Sequence, residues 1–141
     1  MAEYTAAALQ TVAAGQNVQF TETPICGGNC IVHREGSGIV TLRGITNGQC
    51  KARYKVSFGA NIAIPTGGTV GEISLAIAIE GEPLASATMI VTPAAVEDLW
   101  NVFAAVFVDV PRGCCVTAAV ENTTDQAISV QNANLIVERV A

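Results

Sequence analysis

A two-residue alternation of apolar and polar side chains is the feature of this sequence that most limits its fold. The clearest case is the segment Cys50 to Ile64. Its apolar side chains stand at every second position: Tyr54, Val56, Phe58, Ala60, Ile62 and Ile64. Successive side chains of a strand point to opposite faces, so this pattern predicts a long strand with one buried face. Gly59 in its middle predicts a bulge or a bend.

A second long strand is predicted from Leu99 to Val110, and both of its faces are largely apolar. One face carries Trp100, Val102, Ala104, Val106, Val108 and Val110. A strand that is apolar on both faces needs cover on both sides. The other face is covered either by a loop or the second sheet, or by another subunit near a symmetry axis. We expect a subunit interface formed by Leu99, Asn101, Phe103, Ala105 and Phe107.

Shorter runs of the same period, separated by turn residues, complete the pattern. They are Gln16 to Glu22, Cys30 to Arg34, Gly38 to Arg43, Val70 to Glu80, Ser86 to Val91, Cys114 to Glu121 and Ile128 to Val140. Only Thr92 to Glu97 suggests a helical turn. The sequence therefore predicts an all-β, two-sheet jelly-roll sandwich of about ten strands. We expect a single domain over residues 15–141, preceded by an N-terminal segment, residues 1–14, that serves as an attachment element.

The charge content restricts the partners. Only 13% of the residues are charged, against roughly 25% in ordinary soluble domains, which favours a subunit that buries one face against its copies. The net charge is -5 and the basic residues are dispersed along the chain, so nucleic acid is not an expected partner. No apolar run approaches the roughly 18 residues of a membrane span. The N-terminus has no signal-peptide pattern, which predicts cytoplasmic synthesis without a leader.

Five cysteines leave three interpretations open. They are Cys26, Cys30, Cys50, Cys114 and Cys115, and an odd count argues against a closed disulfide framework. The thiols pack as small hydrophobic groups, or a disulfide within or between subunits joins the Cys26 to Cys30 loop to the Cys114-Cys115 pair, or four thiolates bind zinc. Vicinal cysteines on a strand point to opposite faces, which weakens the zinc interpretation.

No catalytic constellation is apparent in the sequence. His33 is the only histidine, and it lies three residues from Cys30 on a predicted strand, so the two side chains face opposite ways. We expect it to be a surface or interface residue. Most carboxylates flank turns, and the glycines do not precede a helix as a phosphate-binding loop would. The chain is therefore expected not to be an enzyme and to need no cofactor or metal.

Several segments resemble a known superfamily. They are the strand Tyr54 to Phe58 after the Asn47-Gly48 turn, the turn Thr66 to Val70, and the strand and turn Ser74 to Leu84. Together they resemble the TNF-like and complement-globular-head-like jelly rolls, with the C-terminal heads of bacterial collagen-like spore-surface proteins as the nearest resemblance. That resemblance implies a ten-stranded jelly roll that forms a threefold trimer, with an inner-sheet face around the axis. The chain departs from the spore proteins because it has no collagen-like stalk.

A further resemblance concerns short, stand-alone proteins of phages and prophages of Firmicutes. It rests on Ile31 to Gly38, Val110 to Cys115 and Asn132 to Arg139. It implies a non-catalytic homotrimer on a bacteriophage virion surface, as a capsid decoration or head-fibre protein, with capsid or other virion proteins and a surface glycan as candidate partners. The alternative is a carbohydrate- or receptor-binding module of a phage or bacterial surface, located on the bacterial cell or spore.

Overall fold

The computed structural model describes all 141 residues and contains eleven strands and no helix. The strands are β1 (Ala2–Ala6), β2 (Gln10–Val12), β3 (Glu22–Ile25), β4 (Ile31–His33), β5 (Val40–Arg43), β6 (Lys51–Ala63), β7 (Ile73–Ile79), β8 (Glu82–Val91), β9 (Trp100–Pro111), β10 (Cys115–Asn122) and β11 (Ile128–Arg139). The chain has no helix of the length and hydrophobicity that crossing a membrane requires.

The strands form two antiparallel sheets that face each other. The six-stranded sheet has the order β3-β1-β11-β6-β9, with β2 also paired to β11, and the five-stranded sheet has the order β4-β5-β10-β7-β8. Many neighbours in space are distant in sequence, as in the pairing of β1 with β11. This arrangement confirms the predicted all-β, two-sheet jelly-roll sandwich.

The core lies between the sheets and is built from alternate residues of the long strands. In the register, Tyr54 of β6 faces Val108 of β9, and Phe58 of β6 faces Leu135 of β11, and all four side chains are buried. The Phe20 ring meets the Phe58 ring edge-on, with centroids 6.2 Å apart. Burial of a large side chain of this kind stabilises the fold by about 1.5–3 kcal/mol. The two long strands predicted from alternation are confirmed.

The N-terminal segment belongs to the sandwich. β1 lies between β3 and β11, and its alternate residues Ala2, Tyr4 and Ala6 are buried. The prediction that the jelly roll begins at residue 15, after a separate segment of residues 1–14, is therefore wrong. Two of the three inward residues of β1 are alanines, so the apolar alternation is too weak to stand out in the sequence. The attachment role of this segment stays a prediction.

The strand predicted at Gln16 to Glu22 is replaced by a crossing between the sheets. The Val18 amide donates to the Val120 carbonyl of the five-stranded sheet at 2.8 Å, whereas the Thr21 amide donates to the Thr5 carbonyl of the six-stranded sheet at 3.1 Å. Val18 and Phe20 are buried, as their alternation suggests. The segment leaves one sheet for the other before it can form a ladder, so β3 begins only at Glu22.

The helical turn predicted at Thr92 to Glu97 is also wrong. Glu97 has a left-handed backbone, with φ of 61°, and its amide donates to the Ile64 carbonyl at 2.7 Å. This long-range bond to the end of β6 replaces the local bonds that a helical turn would need.

The irregularity predicted at Gly59 lies on the neighbouring strand. In the pairing of β11 with β6, the register shifts between Gln131 and Asn134, so that β11 carries the extra residue. Asn132 takes the left-handed conformation at this point, with φ of 56°. Asparagine tolerates that conformation better than most residues, which suits it to a bulge.

One fully buried polar side chain ties three segments together. The Asn122 amide group donates to the Val12 carbonyl at 3.0 Å and to the Gln126 carbonyl at 2.9 Å, and its oxygen accepts from the Thr124 amide at 2.9 Å. Its loss would leave polar backbone groups unpaired in or near the core, and each such group costs about 1–3 kcal/mol.

We predict that Asn122→Ala lowers the free energy of unfolding by about 3 kcal/mol, because three hydrogen bonds are lost at a buried site. Urea denaturation followed by circular dichroism measures the change. Asn29→Ala removes an exposed asparagine side chain and should cost no more than about 0.5 kcal/mol. Equal stability of the two variants would contradict the assignment.

A buried tyrosine joins two loops at one end of the sandwich. The Tyr54 hydroxyl donates to the Arg43 carbonyl at 2.6 Å and lies 3.3 Å from the Cys30 carbonyl. Burial, with the nearby Cys30 thiol acting in the same direction, raises the pKa of Tyr54 to about 12 from its ordinary 10.0. Burial also raises the pKa of Tyr4.

We predict an alkaline loss of stability that depends in part on Tyr54. The folded state keeps the Tyr54 proton more tightly than the unfolded state, so the resulting stabilisation is complete below pH 10 and is lost as the pH rises towards about 12. Tyr54→Phe should reduce this pH-dependent loss without abolishing it, because Tyr4 remains, and should cost about 1 kcal/mol at neutral pH. Urea denaturation across this range is the measurement, and an unchanged pH dependence would contradict the prediction.

Candidate subunit interface

The outward face of β9 brings together the five residues that the sequence predicts for an interface. Because Val102, Val108 and Val110 point inward, the alternate side chains point out. Phe103 is 66% exposed and Phe107 is 62% exposed. Leu99, which precedes the strand, and Asn101 and Ala105, between the other members of the set, are exposed as well. We call Phe103 and Phe107 the aromatic ridge. No loop and no second sheet covers it.

The ridge stands at an open sheet edge. β9 is the last strand of the six-stranded sheet and is hydrogen-bonded within that sheet only to β6. An edge strand offers unpaired backbone groups, and proteins usually protect such edges with charges, prolines or a covering element. Here the outward side chains over most of the edge are aromatic or small, so the edge is suited to contact with another protein surface.

A shallow groove runs beside the ridge. The outward residues of β6 next to it are Gly59, opposite Phe103, Ser57, opposite Ala105, and the exposed Lys55, opposite Phe107. A side-chain carbon placed on Gly59 would lie 3.7 Å from the Phe103 ring, so the glycine leaves the space beside the ring open. On the far side of the groove, Ile136 of β11 pairs with Ser57. We call Ser57 and Gly59 the small-residue groove. The small side chains at these two positions leave space beside the Phe103 ring for a side chain from another molecule.

A polar network closes one end of this surface. The Asn101 side-chain amide donates to the Asn61 oxygen at 3.2 Å, and the Asn61 amide donates to the Asn132 oxygen at 3.1 Å. These three asparagines connect β9, β6 and β11. The bulge of β11 makes the network possible because it turns Asn132 towards Asn61.

Charged residues close the other end. The Arg53 guanidinium binds both carboxylate oxygens of Asp109, at 2.8 and 3.2 Å, and Lys51 lies 3.1 Å from the same carboxylate. These contacts, chiefly the hydrogen bond from Arg53, lower the pKa of Asp109 to about 2. Together with the asparagines they give the apolar surface a polar rim, which is the usual organisation of a protein interface.

Trp100 differs from the prediction. Its position in the alternation places it with the inward residues of β9, but it is 48% exposed. The indole nitrogen donates to the Asp98 carboxylate at 3.1 Å. Trp100 is the first residue of an edge strand, where the opposing sheet no longer covers it. The sequence does contain one sign of this exposure, since Asp98, two residues before Trp100, can accept a hydrogen bond from the indole.

The cysteines do not behave as small core residues. Cys26, Cys50, Cys114 and Cys115 are exposed, so that interpretation is wrong for these four. Cys30 is half-buried, and its sulfur lies 3.1 Å from the Arg139 guanidinium. All five thiols are free within the chain, and the structure groups no three metal-binding side chains. A disulfide between subunits stays a prediction.

His33 lies away from the ridge, in β4 of the five-stranded sheet. Its Nε2 donates to the Ser37 carbonyl at 2.8 Å, and its ring packs on Tyr4 with centroids 4.4 Å apart. His33 is half-buried, and these contacts hold its ring in the hairpin that β4 forms with β5.

Comparison with known proteins identifies the fold. No family model and no curated protein matches the sequence. The globular domain of zebrafish complement 1qA protein is similar, with a TM-score of 0.63 and 12% identity, over 96% of this chain and 94% of that chain. The Eiger TNF structure from S. frugiperda is similar, with a TM-score of 0.71 and 14% identity, over 99% and 91%.

Murine APRIL is similar as well, with a TM-score of 0.56 and 10% identity, over 95% of this chain and 97% of that chain. Identities this low show a common fold and not a common function. The agreement extends over nearly the full length of each chain, so it concerns the whole sandwich. The chain therefore has the TNF-like jelly-roll fold.

Proposed function

We propose that this chain is a non-catalytic structural module that acts as a homotrimer through the outward face of its six-stranded sheet. The observation that carries the proposal is the exposure of Phe103 and Phe107 on an open edge strand. Each phenylalanine contributes about 1.5–3 kcal/mol when it is fully buried, and neither contribution is realised in the isolated subunit. A second copy of the chain is the partner that is always present to cover them.

The positions of the ridge and the groove favour a ring. The ridge lies at the edge of the sheet, and the groove lies further in on its face. When an edge of one subunit packs on a face of the next, the contact joins two different patches. Such a contact gives a ring where the rotation between subunits closes and an open filament where it does not. The number of subunits, three, follows the TNF-like jelly rolls that the sequence resembles.

The finer proposal concerns the biological setting. We assign the trimer to the surface of a bacteriophage particle, as a capsid decoration or head-fibre protein, with capsid or other virion proteins as partners. The support is the resemblance of Ile31 to Gly38, Val110 to Cys115 and Asn132 to Arg139 to short phage and prophage proteins. In this setting the chain is made in the cytoplasm and reaches the virion by assembly.

A second candidate function is a carbohydrate- or receptor-binding module of a phage or bacterial cell or spore surface. The half-exposed Trp100 favours it, because an aromatic face fixed by a hydrogen bond to Asp98 can stack on a ligand. Particle association distinguishes the two candidates, since a free binding module would not purify with virions.

We predict that the double substitution Phe103→Glu and Phe107→Glu converts the trimer into a monomer or an aggregate, because each subunit would bring two carboxylates into an interface where apolar groups pack. Light scattering coupled to size-exclusion chromatography measures the mass. The control Ile39→Glu replaces an exposed apolar residue outside the six-stranded sheet and should leave the trimer intact. An unchanged trimer in the double variant, or a monomeric unsubstituted chain, would reject the interface.

We also predict that the chain purifies with phage particles. Density-gradient fractions from a culture that produces the encoding phage, analysed by mass spectrometry, should contain the chain and the major capsid protein in the same band. The copy number per particle should be a multiple of three. Absence of the chain from intact particles, together with binding to an array of glycans, would overturn the virion assignment in favour of the second candidate.

A further inference from the structure

A cleft of about 380 Å³ opens beyond the asparagine network, at the end of the outward face of the six-stranded sheet. Strands β2, β6 and β11 form its floor, and the segments around Leu9, Pro65 and Glu97 form its walls. The volume lies within the range of small-molecule sites, roughly 300–1,000 Å³.

The carboxylate of Glu97 is held in position by the backbone and by Thr66. Glu97 has a left-handed backbone, φ 61°, which costs a non-glycine residue of order 1 kcal/mol. The bond from its amide to the Ile64 carbonyl, 2.7 Å, fixes that conformation. The Thr66 hydroxyl donates to the Oε1 oxygen of Glu97. The Oε2 oxygen has no protein partner and can accept from a ligand.

Ser129 supplies a second, independent feature of a binding site. The residue as a whole is only 7% exposed, whereas its hydroxyl makes no hydrogen bond within the protein and remains accessible at the cleft. In the register it lies between Thr11 of β2 and Ala63 of β6, at the floor of the cleft. Because the rest of the residue is packed in the floor, this hydroxyl is held in place and is free to bond to a ligand in the cleft.

Two more polar groups at the cleft are unengaged. The Thr11 hydroxyl and the Gln131 amide make no hydrogen bond within the protein, and both residues lie on the strands of the floor. The cleft therefore offers hydroxyl, amide and carboxylate groups in a small volume. The hydroxyl and amide groups both donate to and accept from alcohols, and the carboxylate accepts from them.

The absence of cations from the lining restricts the ligand further. The lining contains one carboxylate and no Lys, Arg or His, which disfavours anionic ligands. Apolar contact is available from Leu9, Pro65 and Leu99. A pattern of neutral polar groups, one carboxylate and a few apolar side chains matches the alternating hydroxyl and C–H surfaces of a sugar ring.

We propose that this cleft binds a neutral saccharide, with the free oxygen of Glu97, the Ser129 hydroxyl and the Gln131 amide hydrogen-bonded to its hydroxyl groups. The inference deepens the second candidate function and does not depend on the virion assignment. Leu99 belongs to both the cleft and the predicted subunit interface, so the two sites are adjacent.

The test uses the full chain with methyl α-D-mannopyranoside, methyl β-D-galactopyranoside and N-acetyl-D-glucosamine as probes. Saturation-transfer NMR should detect binding of at least one of them, and titration should give its Kd. Ser129→Ala and Glu97→Gln should each raise that Kd about tenfold, the effect of losing one good hydrogen bond to a charged or buried group. Gln keeps an oxygen for the Thr66 hydroxyl, so the wall segment should remain in place.

Thr41→Val, on the five-stranded sheet and outside the cleft, is the matched control and should bind as the unsubstituted chain does. The proposal would be overturned if none of the three sugars binds, or if the cleft variants bind a sugar as tightly as the control does. It would also be overturned if methylammonium, a small cation added as a fourth probe, binds more tightly than the sugars. Light scattering of the same samples distinguishes failure of the saccharide site from failure of the subunit interface. A trimer that binds no sugar contradicts the saccharide site and supports the interface. A monomer that binds sugar contradicts the interface and supports the saccharide site.

Discussion

The alternation of side chains across β6 and β9 is the constraint on which the rest of the structure depends. Because the sandwich buries Tyr54, Phe58 and their neighbours on one face of the sheet, the intervening residues have to face outward. On β9 this places two phenylalanines on the outside, since valines already occupy the inward positions. A slip of one residue would bury Phe103 and expose Val102, and the paired strand β6 prevents it. The surface chemistry of the molecule is therefore fixed by the packing of its interior.

Strong alternation in long strands made most of the fold predictable from sequence. β6 and β9 have many inward apolar residues, so their two-residue period is clear in the sequence. The five outward residues of the predicted interface follow from the same period. The sequence does not indicate β1, because two of its three inward residues are alanines and an alanine-rich loop follows. The crossing at Val18 and Phe20 has the sequence pattern of a strand, because its buried side chains alternate even though the backbone changes sheets.

Features that depend on long-range contact could not be predicted. The left-handed backbone of Glu97 is fixed by a carbonyl of β6, and the exposure of Trp100 follows from its place at the end of an edge strand. The cleft is assembled from β2, β6, β11 and the loop before β9, which are far apart in the sequence. No local pattern indicates that such segments meet. The cysteines show the same limit, since their exposure depends on which turns lie at the surface.

The position of β11 has a consequence for how the chain reaches its native state. In the six-stranded sheet, β3 and β1 form one pair and β6 and β9 another, and only β11 joins the two. Until β11 has been synthesised, these pairs cannot belong to one sheet. Strands β1 and β6 then each lack a hydrogen-bonded neighbour, and the apolar faces of the two pairs are not joined. Folds dominated by such distant pairings form slowly, on the order of milliseconds to seconds, and their incomplete forms are prone to aggregate. Pairing of β11 with both neighbours is thus the step that completes the six-stranded sheet.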